Sequence, residues 1–273
     1  MTRHLRFTLA VATAAVAALA LSACSAGGSS NADGTVTDGK LTIATGDPAY
    51  SPWIEDNKPE SGKGFESAVA YAVAKEMGYG KSDVVWKRST FDSAIAPGPK
   101  DWDLNVQQFS IDAKRKKAVD MSSAYYTTTQ AVVTTSGSKA ADDTTIAALK
   151  QDAIGVATGS TSIASVKDVL GVTPQVFNSN DDAVLALKSG QIDAIVTDLP
   201  TAFYMASAQV DDGTVSAQFP SDGKGDEFGF VLPKDSELTS KVDKALKTLD
   251  GDGTLQDLQT KWLSSETGTP VLK

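Results

Sequence analysis

Alternation and helical periodicity divide the chain into short strands and amphipathic helices. Leu41–Thr45 alternates as a strand does, and Gly46-Asp47-Pro48 stops it. After a long loop, Phe65, Ala68, Val69, Ala72, Val73 and Met77 recur at helical spacing, with Gly78 placed to end the helix. Residues 84–86 predict a strand, 91–96 a helical turn broken by Pro97-Gly98-Pro99, and 102–106 the next strand. A second unit starts near Ala131-Val132-Val133. There a strand at 153–156 runs into Thr158-Gly159-Ser160-Thr161, and Ile163, Val166, Val169 and Leu170 form a helical stripe. Asn180 or Asp181 caps a helix through Leu187 that Gly190 closes, and residues 192–196 form a buried strand ending at Thr197-Asp198. Residues 228–232 predict a strand stopped by Pro233. Leu238, Val242, Ala245, Leu246 and Leu249 line one further helix. Thr254 with Asp257 opens another, whose Leu255, Leu258 and Trp262 share a face. The alternation of strands and helices is an α/β pattern in two units of similar size. The polar tail after Leu263 is expected to fray.

The N-terminal region carries a different pattern. Arg3, His4 and Arg6 precede an uncharged, Ala-, Val- and Leu-rich run from Phe7 to Leu21, too short to span a membrane comfortably and shaped like an export signal. It ends in Leu21-Ser22-Ala23-Cys24, which resembles the lipobox of bacterial lipoproteins. The resemblance implies that residues 1–23 are removed and that Cys24 carries a lipid holding the protein on the outer face of the membrane. Residues 24–39 are Ser, Gly, Asn, Asp and Thr with little to bury, and read as a flexible tether.

Composition then removes whole classes of chemistry. With 273 residues and 41% apolar content the chain can build real cores. A formal net charge of −9, from 25 basic and 34 acidic residues, argues against nucleic acid as a partner. The single histidine is His4 and the single cysteine Cys24. A Ser-His-Asp triad, a Cys-His pair, a His-ligated zinc and an internal disulfide are therefore excluded from the processed chain by count. Binding, or chemistry run by carboxylates and lysine, remains.

Several segments, in order along nearly the whole processed chain, resemble the extracytoplasmic amino-acid-binding proteins of ABC importers. They are residues 41–43 through Asp47-Pro48-Ala49-Tyr50-Ser51-Pro52-Trp53, Gly64-Phe65-Glu66, residues 110–122 with Tyr125-Tyr126, residues 154–161, residues 186–194 with Asp198, and Phe228-Gly229-Phe230. The resemblance implies a two-lobed, periplasmic-binding-protein-like α/β fold of type II. Its lobes are joined by two crossover strands, with ligand in the cleft between them. The first lobe would comprise residues 40–126 and 230–273, the second 127–229. A free amino acid as ligand, permease subunits as partners, a monomeric state, and no cofactor or metal are implied as well.

A free amino acid bears a carboxylate and an ammonium on one carbon, so its site needs a cation and an anion close together. Arg115 is the natural cation, able to grip a carboxylate through two parallel hydrogen bonds. The alternative on sequence alone is that Lys114-Arg115-Lys116-Lys117 is a solvated basic face. In the family, the arginine following Ser110 in this stretch holds the ligand carboxylate. Gly159, Ser160 and Thr161 open a helix after a buried strand, where amides attract an anion, or else form a plain cap. Asp198 ends a buried strand and matches the family's acceptor of the α-ammonium. Tyr50, Trp53 and Phe91 match aromatic positions that sandwich the ligand. Asp47 stands where relatives that take cationic side chains often carry an acid, which tilts the ligand toward polar or basic. Gln107 and Gln108 depart from the small residues usual there, and are expected to project amides into the cleft.

Two other functions use the same scaffold. A carboxylate-based enzyme, a dehydratase or glycan-cleaving protein, would draw on Glu55, Glu60 or Glu66. A sensor would present its closed form to a receptor kinase instead of a permease.

Overall fold

The computed structural model describes residues 34–221, 225–263 and 268–273. The leader, Cys24 and the first part of the tether lie outside the described residues. Ordered packing begins earlier than Leu41: Thr35 is buried, and Val36 N donates to Asp103 Oδ1 at 2.7 Å. The burial of Asp103 supplies that anchor, which the polar composition of the segment conceals.

Among the described residues, twelve strands run in chain order: β1 Leu41–Thr45, β2 Val84–Arg88, β3 Leu104–Asn105, β4 Asp120–Met121, β5 Tyr126–Thr128, β6 Gln130–Thr135, β7 Ile154–Ala157, β8 Gln175–Phe177, β9 Ala194–Asp198, β10 Gly213–Gln218, β11 Asp226–Phe228 and β12 Val231–Leu232. They form two five-stranded sheets, ordered β2-β1-β3-β12-β4 and β10-β6-β9-β7-β8. Between the sheets β5 and β11 pair antiparallel, Phe228 opposite Tyr126 and Asp226 opposite Thr128, and these are the two chain crossings. Each sheet mixes parallel and antiparallel neighbours.

The strand expected at 228–232 is two strands. Gly229 separates them, and a Cβ there would lie 2.9 Å from the Ser122 carbonyl oxygen, so the chain turns from crossing strand to sheet where only glycine fits. Among the described residues the helices are α1 Phe65–Glu76, α2 Phe91–Ile95, α3 Ile146–Leu149, α4 Ser162–Ser165, α5 Asn180–Lys188, α6 Leu199–Tyr204, α7 Thr239–Gly251 and α8 Thr254–Leu263, and in the first lobe α1, α7 and α8 pack on one another over the first sheet. Phe65, Val69, Val73, Val242, Leu246 and Leu255 meet Leu41, Ile43 and Leu104 there. The buried face of α1 differs from the expected stripe: Glu66, Ser67, Ala70 and Ala74 are inside with Phe65, Val69 and Val73, while Ala68, Ala72 and Met77 are half-buried. Small residues let the helix lie close to the loop of residues 50–53, whose carbonyls accept from Phe65 N and Glu66 N.

In the second lobe the alternation of β6 sends Val132 to one face, with Ile154, Val166 and Leu170, and Ala131 and Val133 to the other, with Val184, Leu187 and Met205. Its main helix, α5 Asn180–Lys188, is capped by the Ser179 hydroxyl, which accepts from Asp182 N, rather than by Asn180 or Asp181. Asp252, accepting from Thr254 N, serves the start of α8 instead of the expected Thr254–Asp257 box. Within the tail, residues 268–273 dock on the second lobe, contrary to the expected fraying. Val271 pairs with Gln218, Leu272 is buried beside Val132, Val156 and Phe219, and Ile146 N donates to the Lys273 carbonyl. β10 is an edge strand with open hydrogen-bonding groups, and Leu272 gives the tail apolar surface to bury.

Candidate functional site

A cavity of about 510 Å³ opens between the lobes, within the range of small-molecule clefts. Its walls include Asp47, Tyr50, Trp53, Phe91, Gln107, Gln108, Ser110, Arg115, Ser160, Thr161 and Asp198. Gly159 alone of the expected site residues is not on the wall. Its carbonyl faces Arg115 instead. At φ +69 its missing side chain leaves room for Asp92, whose Oδ1 would sit 2.7 Å from a Cβ.

Arg115 begins a short 3₁₀ turn whose entry Asp112 fixes, the Asp112 Oδ1 accepting from Lys114 N at 2.8 Å and Arg115 N at 3.0 Å. That turn separates the four basic residues: Lys114, Lys116 and Lys117 are exposed, whereas Arg115 is 8% exposed. Its NH1 donates to the Ser110 carbonyl at 2.7 Å and its NH2 to the Gly159 carbonyl at 2.8 Å, across the cleft. Phe91 lies beneath the guanidinium, 5.3 Å from its carbon, and stacks in turn on Phe109. Burial lowers the pKa of Arg115, and Asp112, Asp198 and Asp226 oppose that shift in part.

Asp198 ends β9 and precedes α6 Leu199–Tyr204, yet its carboxylate does not cap that helix. Oδ1 accepts from Gln130 Nε2 at 2.7 Å. Burial and the charge of Asp226 push Asp198 up to about 8, with the Gln130 bond and Arg115 opposing and Glu66 adding to the rise. The carboxylate faces the cavity but is enclosed by protein on its other sides. Thr161 likewise does not cap α4 Ser162–Ser165. Its hydroxyl donates to Asp226 Oδ2 at 3.1 Å and meets Ser110 Oγ from the other lobe at 3.2 Å.

The aromatic residues behave differently from one another. Trp53 is 2% exposed, wedged among Phe65, Tyr126 and Phe228 at ring distances of 5.7–6.1 Å, and its Nε1 donates to Thr201 Oγ1 at 3.0 Å across the cleft. It packs the crossing strands more than it faces the cavity. Tyr50 lies 5.5 Å from Tyr204 and donates to Asp181, both in the second lobe; burial and Asp181 raise its pKa. Gln108 corrects the expectation of a free amide. Its backbone is left-handed, at φ 49, and both its N and Nε2 donate to Glu66, turning the side chain to the interior. Gln107 Oε1 is buried without a partner among the described residues.

Glu66 is fully buried behind this wall and also accepts from Tyr125 Oη. Burial raises it to about 7 against the pull of those hydrogen bonds. Glu55, Glu60 and Glu66 do not line the cavity. Beyond the expected residues, the structure places Asp92 and Asp181 on the cavity wall and Gln130 and Asp226 behind Asp198. In sequence Asp181 stands at a helix start and Asp226 just ahead of Phe228-Gly229, and neither position by itself signals the cleft.

A family model, the bacterial extracellular solute-binding proteins of family 3, matches residues 41–265. The arginine-binding extracellular protein ArtP of Bacillus subtilis is 32% identical over 251 residues, covering 89% of this chain and 94% of that protein. Among solved structures, an ancestral arginine-binding protein bound to glutamine superposes with a TM-score of 0.67 at 32% identity, covering 83% of this chain and 98% of that one. The ancestral amino-acid-binding protein AncCDT-1, a precursor of cyclohexadienyl dehydratase, does so with a TM-score of 0.65 at 30% identity, covering 82% and 95%.

Proposed function

The chain belongs to the bacterial extracellular solute-binding proteins of family 3, and from that premise we propose that its cleft captures one free amino acid with a cationic side chain. As a solute-binding component of an ABC importer it works outside the cytoplasm and hands its ligand to a permease. Arg115, with the Ser110 and Thr161 hydroxyls, takes the α-carboxylate, and Asp198 takes the α-ammonium. The observation that carries the cationic assignment is the charge of the wall: Asp47, Asp92, Asp181 and Asp198 against Arg115 as its one basic residue. A carboxylate ligand neutralises Arg115, an ammonium neutralises Asp198, and Asp47, Asp92 and Asp181 are left to face a side-chain cation. Tyr50 and Tyr204 bound that side of the cavity and offer aromatic faces. The arginine-binding name of the Bacillus subtilis relative agrees with this chemistry.

The protein makes and breaks no bond in this reading. The AncCDT-1 likeness keeps dehydratase chemistry as the enzymatic alternative, but Glu55, Glu60 and Glu66, the acids that alternative would use, stand off the cavity. Cys24 carries a lipid that tethers a monomeric receptor to the membrane.

Calorimetry against arginine, lysine, histidine, glutamine and glutamate tests the ligand assignment. Arginine or lysine is expected to bind most tightly, and Arg115→Ala to weaken the best ligand at least about 100-fold, roughly 3 kcal/mol, because the ligand carboxylate is left desolvated and unpaired. Preference for glutamate, or undiminished binding by Arg115→Ala, overturns it.

A further inference from the structure

Behind the ammonium site stands a second carboxylate that the ligand assignment does not use. Asp226 lies on β11, one of the two crossing strands, and its Oδ2 accepts from Gln130 Nε2 at 2.7 Å and from Thr161 Oγ1 at 3.1 Å. The same Gln130 nitrogen donates to Asp198 Oδ1 at 2.7 Å. Gln130 opens β6 directly after the other crossing strand, is buried, and is paired with Asp198 in the sheet. Its Oε1 accepts from Ser162 Oγ at 2.6 Å, which fixes the amide so that Nε2 points at the two acids. One amide therefore spends its two protons on two carboxylates, and Asp226 also holds the threonine that meets Ser110 across the cleft.

Two carboxylates that share one amide nitrogen repel, and a proton on one of them relieves the repulsion. The charged and titratable groups facing Asp198 are Asp226 from β11, Glu66 from α1, Arg115 from its 3₁₀ turn and Tyr125 from the segment entering β5. Arg115 alone favours the ionised form, and Ser162, Thr161 and Gln130 do not titrate. The rise of Asp198 to about 8 agrees with this geometry.

We propose that Asp226 is a positioning residue for ligand capture: through the shared Gln130 amide it orients Asp198, and through its own negative charge it keeps Asp198 protonated until ligand arrives, so the incoming ammonium must displace a proton. This rests on the amino-acid assignment above. The balance is simple. The Asp198 carboxylic acid and a ligand ammonium become a carboxylate–ammonium pair, and one proton leaves to solvent.

Calorimetry of L-arginine with the full chain, at pH 6.5 in two buffers of different ionisation enthalpy, counts that proton. Wild type is expected to release close to one proton per arginine, with affinity falling nearly tenfold for each pH unit from about 7.5 to about 5.5. Asp226→Asn, near in shape but uncharged, is expected to bind arginine with less than about half a proton released and a flatter pH profile. Asp198→Asn is expected to release none. A purely structural Asp226 would leave the proton count unchanged in Asp226→Asn, and that result, or arginine binding to wild type without proton release, overturns the relay. Should Asp226→Asn fail to fold, the Asp198→Asn count decides, since persisting release there overturns it equally. Absence of heat with every amino acid of the panel would instead overturn the ligand assignment, and the relay with it.

Discussion

Arg115 shows how one residue in a run of like charges acquires a separate role. Lys114, Lys116 and Lys117 stay in water, and the Asp112 side chain sets the turn that sends Arg115 inward. Glu66 is the opposite case, an acid buried by its helix and satisfied by Gln108 and Tyr125. Its pKa in the fold is raised to about 7, and that of Asp198 to about 8. Both folded groups therefore hold protons that the unfolded chain has lost between about pH 4.5 and pH 8, so stability is greatest toward the acid end of that window and falls as pH rises through it. We expect the melting temperature of the ligand-free protein to drop from pH 5 to pH 8, and Glu66→Gln to flatten part of that slope. A wild-type melting temperature that climbs across the interval rejects the buried-proton account.

At the scale of elements, strands and helices with clear periodicity were legible: β1, α1, α7 and α8 stand close to where apolar spacing puts them. What was not legible are elements whose stabilisation is non-local. β10 has a weak pattern and owes its place to the β6 ladder, and the two-residue β4 exists only through its pairing with β12, whereas β3 and β12 lie within the strands expected at 102–106 and 228–232. The tail is the clearest example. Its polar composition suggested fraying, but Leu272 and the edge groups of Gln218 dock it on the second lobe. Leu272→Ala should cost about 2–4 kcal/mol of stability in that lobe, read by thermal melting and by faster amide exchange in β10. An unchanged melt would mean that the docking contributes nothing.

For the whole molecule, contacts across the cleft come from both halves of the chain: Arg115 to Gly159, Ser110 to Thr161, Tyr50 to Asp181 and Trp53 to Thr201. Such closure brings Arg115 and Asp198 together around one cavity. The lipid proposed at Cys24 would hold the molecule at the membrane. Cys24→Ala is accordingly expected to shift the protein from the membrane fraction to the medium, measured by fractionation of expressing cells; equal membrane retention rejects the lipid anchor.

The sequence by itself determined the α/β class and, with His4 and Cys24 as its single histidine and cysteine, confined imidazole and thiol groups to the N-terminal region, because periodicity and counting need no fold; it also supplied the expectation that Arg115 and Asp198, which line one cavity, are the cation and anion of the site. Only the tertiary structure decided that Gln108 turns inward, that Trp53 braces the crossing strands and that Asp226 stands behind Asp198. Those outcomes depend on burial and on partners from distant parts of the chain, Glu66 for Gln108 and Gln130 for the two acids, which no stretch of sequence contains together.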